Sequence, residues 1–132
     1  MNVKLKNIEI INAIQSIGVL ADLDLSITTS WNITKNTKKL ESLFKTYAEC
    51  EGKIIEKYAI KDENNQVKID KDNQYKIAPK FINIFNKERN ELLNCENEVD
   101  ISMIKVSDLI DEENKNKIKP AILISLYFMI ED

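Results

Sequence analysis

The stretch Ile27–Ile60, ITTSWNITKNTKKLESLFKTYAECEGKIIEKYAI, decides the fold. Leu40, Leu43, Phe44, Tyr47, Cys50, Ile54 and Tyr58 hold a helical period with Lys and Glu between them, the spacing that gathers side chains on one helix face. No proline interrupts it. Its one glycine, Gly52, costs about 1 kcal/mol relative to alanine, which a helix of this length absorbs. The upstream signal is mixed. Leu23, Leu25, Ile27, Thr29, Trp31 and Ile33 alternate as a strand does, yet Ile27, Trp31 and Thr34 also fit a helix face, and Asp24 or Ser26 could cap it. The unbroken period downstream favours one helix over 27–60. At 1.5 Å per residue it is roughly 50 Å long. That exceeds the width of a small globule, so part of it is expected to pack against a partner or a second subunit.

Working outward, Val3–Lys6 alternates like an edge strand. Ile8, Ile11, Ile14 and Ile17 then mark a short amphipathic helix over 8–17, with Asn7 as its N-cap and Gly18 as its terminating residue. Downstream, Lys61-Asp62-Glu63-Asn64-Asn65 is turn chemistry. Val67 and Ile69 alternate with polar residues, Asp70–Gln74 is a second polar turn, and Tyr75 and Ile77 alternate again. This predicts a β-hairpin over 66–78, 66–70 with 75–78. Pro79 suits the first turn of a helix whose apolar side runs from Phe81 through Ile84, Phe85 and Leu92 to Cys95. Val99, Ile101, Ile104 and Val106 predict a strand near 97–105. Asp111–Lys119 reads as a charged loop and Pro120 as the start of a last helix, 120–130, apolar nearly all round. No internal repeat or flexible linker is evident. The expectation is a single domain, 1–132, of α+β class: one long helix and shorter helices packed with a small antiparallel sheet.

Composition narrows the function. The chain has no His, which removes the usual general base and the commonest metal ligand. Cys50 and Cys95 are too few for a zinc site or a disulfide framework. Gly18 and Gly52 are the only glycines, so a glycine-rich phosphate loop is impossible. Asp22 and Asp24 supply two carboxylates, short of the six or more oxygens a hard cation takes. Cys50 lies on the apolar side of the long helix and is expected to be a small core residue. No acid sits in an apolar run that would raise its pKa. Neither enzyme activity, nor a cofactor, nor a metal is expected.

The net charge of −3 and the single arginine, Arg89, argue against a protein that holds nucleic acid by its phosphates. Lys35, Lys38 and Lys39 with Trp31 and Asn36 form the one basic patch containing an aromatic. Trp31 is expected in the core and the lysines in solvent. Charge is uneven: residues 1–39 balance at +2 and residues 97–132 at −4. The uncharged stretch Pro120–Ile130, like Ile10–Ala21, is too short for a membrane span, which needs about 20 residues. The preference for Ile, Lys and Asn reads as the codon bias of an AT-rich genome.

Several segments together carry a resemblance. They are Ser30-Trp31-Asn32-Ile33-Thr34-Lys35-Asn36 running into Lys39-Leu40-Glu41, then Glu56-Lys57-Tyr58-Ala59 closing the long helix, and Lys61-Asp62-Glu63-Asn64. Phe85-Asn86-Lys87-Glu88, Glu91-Leu92-Leu93, Glu98-Val99-Asp100-Ile101 and Phe128-Met129-Ile130-Glu131-Asp132 complete the pattern. In these the chain resembles a family of small phage proteins of unknown function, from viruses of low-GC Gram-positive bacteria. The resemblance implies a phage accessory protein working in the host bacterial cytoplasm, and it carries over no catalytic or binding residue.

Binding then remains as the expected mode of action, through a bacterial host protein or a phage structural protein and without membrane or direct nucleic-acid contact. The leading expectation is an inhibitor of a bacterial defence system, of the anti-CRISPR type. It would use the acids Glu96, Glu98, Asp100, Asp111, Glu112 and Glu113 against a basic nucleic-acid channel. The alternatives are a virion component or assembly factor, oligomeric through the long helix, and a sponge for a signalling nucleotide.

Overall fold

A computed structural model describes residues 1–132. It has the expected α+β architecture, with one long helix, shorter helices and a small antiparallel sheet. The chain packs as two compact units, one of residues 1–44 and 96–132 and the other of residues 45–95.

The first unit begins with β1 (Asn2–Lys6) and α1 (Asn7–Ala21). The Glu9 carboxylate accepts the Lys6 amide at 3.0 Å and closes the start of α1. The helix runs through Gly18 instead of ending there, because Leu20 continues the buried face of Ile10, Ala13 and Ile17. α2 (Ile27–Tyr58) is the predicted long helix, shorter by two residues at its C-terminus. Ser26 caps it: its hydroxyl accepts the Thr29 amide at 3.3 Å. The first part of α2 belongs to this unit, where Ile33 and Leu40 are buried.

β2 (Glu96–Asp100) pairs antiparallel with β1, Val3 opposite Val99 and Leu5 opposite Asn97. The expected strand near 97–105 stops early, at Asp100. Ile101 still bonds Met1, its amide donating to the Met1 carbonyl at 2.9 Å, and the next residue, Ser102, bonds Asn36, which is fully buried on α2. Its side-chain amide donates to the Ser102 carbonyl, and its carbonyl oxygen accepts the Ser102 amide, both at 2.9 Å. The Asn36 side chain thus satisfies the Ser102 backbone groups, which no strand pairs. β3 (Ile104–Lys105) then pairs in parallel with β4 (Ile130–Glu131). The expected helix over 120–130 is only α4 (Pro120–Ser125), followed by a 3-10 turn over Tyr127–Met129 that leads into β4. Fourteen buried apolar side chains, among them Leu5, Leu40, Leu109, Leu126 and Met129, form one cluster.

The second unit holds the rest of α2, an irregular segment, a 3-10 turn at Pro79–Phe81 and α3 (Ile82–Leu93). The predicted hairpin is not a ladder of 66–70 on 75–78. The Asp70–Gln74 turn forms, but both arms bond to the residues leaving α2. The Ile60 amide donates to Lys76 at 2.9 Å, and the Ile60 carbonyl accepts the Lys68 amide at 2.8 Å.

The reason is a tandem repeat, where none was expected: Asp62–Ile69 (DENNQVKI) followed by Asp70–Ile77 (DKDNQYKI). Each copy opens with the same turn. Asp62 accepts the amides of Asn64 and Gln66 at 2.8 and 3.0 Å, and Asp70 those of Asp72 and Gln74 at 2.9 and 3.0 Å. Asn65 and Asn73 both take φ 61°, the left-handed conformation that asparagine tolerates and that closes such a turn with a bulge. The first turn folds residues 67–69 back onto 59–61, so they are no longer available to residues 75–78.

Candidate functional site

The six acids singled out from the sequence occupy two segments. Glu96, Glu98 and Asp100 are exposed and share the outer face of β2, two residues apart as a strand dictates. The antiparallel register sets Lys6 opposite Glu96 and Lys4 opposite Glu98. Asp100 is held below the usual carboxylate range by the hydrogen bond from the Met1 amino group at 3.1 Å and by Lys39. This strand face is therefore a mixed-charge surface.

Asp111, Glu112 and Glu113 open the loop before α4. The Asp111 carboxylate accepts the amides of Glu113 and Asn114 at 2.9 and 2.8 Å, so it builds the turn. Glu112 pairs with Lys115 at 3.0 Å.

Two other expectations are corrected. Cys50 is exposed, as is Cys95. It lies at the edge of the seam that Leu40, Tyr47 and Tyr58 define, about 80° from its centre at 100° per residue. Trp31 is not in the core either: it is 61% exposed, beside Ile27 at 85%. Nine residues separate Trp31 from the fully buried Leu40, which is about half a turn at 100° each. Asn36, by contrast, is buried and spent on Ser102, and Lys39 donates to the Asp100 carbonyl at 2.7 Å.

Two surface features remain, the first overlapping the basic patch that Trp31 and Lys38 mark in the sequence. Thr34 and Lys38 share the helix face of Trp31 and line a hollow of about 310 Å³ floored by Leu20, Ala21 and Ile33. At the other end of the chain Ile124 and Tyr127 are 76% and 79% exposed. Tyr127 stands between two hollows of about 320 and 400 Å³. Large apolar side chains left in water in groups mark contact surfaces more often than isolated ones do.

The second unit contains the one arginine. Arg89 on α3 reaches Glu51 on α2 at 3.4 Å, and the Tyr47 hydroxyl donates to the same carboxylate. Burial, then the Glu51 carboxylate, push the Tyr47 phenol up to about 12. Tyr58 donates to Glu88 at 2.8 Å, where Lys57 also pairs at 3.5 Å. These groups clasp α3 onto α2 and present no nucleophile with a base.

No three His, Cys, Asp or Glu side chains gather where they could hold a metal ion, and no helix is long and apolar enough to cross a membrane. No protein-family description, curated protein or solved structure matches the chain.

Proposed function

We propose that this chain acts by binding other protein surfaces, as a phage accessory protein that inhibits a bacterial defence complex. One observation supports the binding part. Ile27 with Trp31, and Ile124 with Tyr127, are large apolar side chains more than 60% exposed, in pairs, on the unit that has the larger core. A unit able to bury fourteen apolar residues leaves these four in water, which suits a contact surface. The inhibitor part rests on the phage-family resemblance and on the acidic C-terminal third. Within that third, lysines stand opposite Glu96 and Glu98 on β2 and Lys105 opposite Glu131, while Glu131 and Asp132 line a hollow beside Tyr127.

The test is phage plaquing on a host that carries a defence system. Expression of the chain should restore plaques that the system suppresses, and Ile124→Asp with Tyr127→Asp should remove the effect while the circular dichroism spectrum is unchanged. No rescue across a panel of nuclease-based defence systems would sink the inhibitor reading.

A further inference from the structure

We infer that the two copies of the eight-residue repeat compete for one pairing place, so that the segment leaving α2 has two strand registers, one repeat apart. This depends neither on the inhibitor role nor on the exposed apolar pairs.

The pairing carries it. Lys61 faces Val67 in antiparallel sense, and continuing that ladder would set Ala59 opposite Ile69. Ala59 instead faces Ile77, eight residues further on. Eight is the length of the repeat, and Ile69 and Ile77 are the last residues of its two copies. The ladder thus starts on copy one and finishes on the equivalent residue of copy two. The hydrogen bonds divide the same way. In an unbroken antiparallel ladder, two opposed residues exchange both bonds. Here Ile60 accepts the Lys68 amide at 2.8 Å but donates to the Lys76 carbonyl at 2.9 Å. Lys68 and Lys76 hold the same position in the two copies, and each supplies half of one pair. A hollow of about 300 Å³, lined by Ile60, both lysines, Asp70 and Gln74, lies at the split.

Either copy alone can therefore complete the ladder. With Ile69 opposite Ala59, Lys68 makes both bonds to Ile60, and copy two becomes the loop that leads to Pro79. A slip by an odd number of residues would turn the side chains to the other face of the strand. A slip by eight keeps every side chain on its own face and puts the same residue type opposite Ile60 and opposite Ala59. It exchanges one isoleucine for another: Ile69 is 55% exposed, whereas Ile77 is half-buried. The Ala78 amide donates to the Tyr58 carbonyl at 3.4 Å, a long bond that belongs to the observed register alone. Phe81 packs on the Tyr58 ring at 5.5 Å, and it lies beyond both copies, so it is compatible with either register.

The experiment is nuclear magnetic resonance on the whole chain, with amide exchange measured on the same samples. Ala59 and Ile77 form a pair without mutual hydrogen bonds, whose Cα atoms lie about 4.5 Å apart and whose α protons are in contact. The wild type should show that contact. Ile77→Asp places a charge at the half-buried position, and the Ala59 contact should move to Ile69. Ile69→Asp, at the exposed position, should leave the Ala59 contact on residue 77. The two substitutions together leave no apolar partner for Ala59, and should remove exchange protection of residues 59–78 far beyond the loss in either single variant. Deletion of residues 70–77 should give the Ala59–Ile69 contact, and deletion of residues 62–69 should keep the Ala59–Ile77 contact, both with residues 45–95 still protected. An Ile77→Asp chain with no Ala59–Ile69 contact overturns the inference. So does a double variant no less protected than Ile77→Asp alone, or either deletion if it costs the second unit its protection.

Discussion

The two units of this chain are held together differently. Residues 1–44 and 96–132 share a cluster of fourteen buried apolar side chains. Residues 45–95 bury only Tyr47, Tyr58, Ala59 and Phe85, and leave Ile60, Ile69, Tyr75, Ile82 and Ile84 exposed. The second unit compensates with polar geometry: the Tyr47–Glu51–Arg89 and Tyr58–Glu88–Lys57 groups, and two identical aspartate turns. Burial is non-directional and adds up with area, whereas exposed ion pairs each contribute little. The second unit should therefore open first, at lower free energy than the first.

Truncating one core residue in each unit tests this most severely. Leu40→Ala, at a fully buried position of the first unit, should cost about 3 kcal/mol. Native-state hydrogen exchange should show it as lost protection across residues 1–44 and 96–132. Phe85→Ala should cost about as much locally, but remove protection only within residues 45–95. If Phe85→Ala lowers protection of β1 and β2 equally, the two units form one cooperative structure and the contrast is wrong.

A smaller effect separates the units by pH. Tyr47 has a folded pKa near 12 against an ordinary value of 10.0. The folded state then holds a proton that the unfolded state releases. The resulting stability is present in full below pH 10 and is lost as pH rises through 12. Exchange protection of the second unit should fall between pH 10 and 12 more steeply than that of the first unit. Tyr47→Phe should flatten that difference. An equal loss in both units, or no change with Tyr47→Phe, would show that the phenol does not control the second unit.

How much of this was legible follows from what is local. The long helix and its Ser26 cap depend on neighbours within a few residues, and both could be read. The exposure of Trp31 could have been read too, since counting nine residues back from Leu40 puts it on the opposite face. The strand-like alternation from Leu23 to Ile33 competes with that count. The Asp62–Ile77 repeat was present in the letters, but each half alone resembles an ordinary strand after a turn. Other features depended on distant partners. Asn36 meets Ser102 across 66 positions, and nothing near Asn36 signals it. The acids of β2 looked unopposed until the register placed Lys4 and Lys6 across from them. The candidate surfaces were harder still, because exposure is what remains after the core has chosen its members.

The two glycines give the smallest and cleanest comparison. Gly18 lies inside α1 in the first unit, and Gly52 inside α2 in the second. Neither has positive φ, and a Cβ at either position would meet nothing within 4 Å. Each therefore lacks a conformational or steric reason to be glycine, and alanine should stabilise its helix by about 0.5–1 kcal/mol. The size of the gain is the same, so only its destination differs. Gly18→Ala should raise the midpoint of the main denaturation transition, because the first unit sets global stability. Gly52→Ala should leave that midpoint almost unchanged and slow exchange within residues 45–95 instead. A helix continuous through both units could transmit the gain along its length. If so, Gly52→Ala would raise the main midpoint as much as Gly18→Ala does, and the small core of the second unit would no longer imply separate opening.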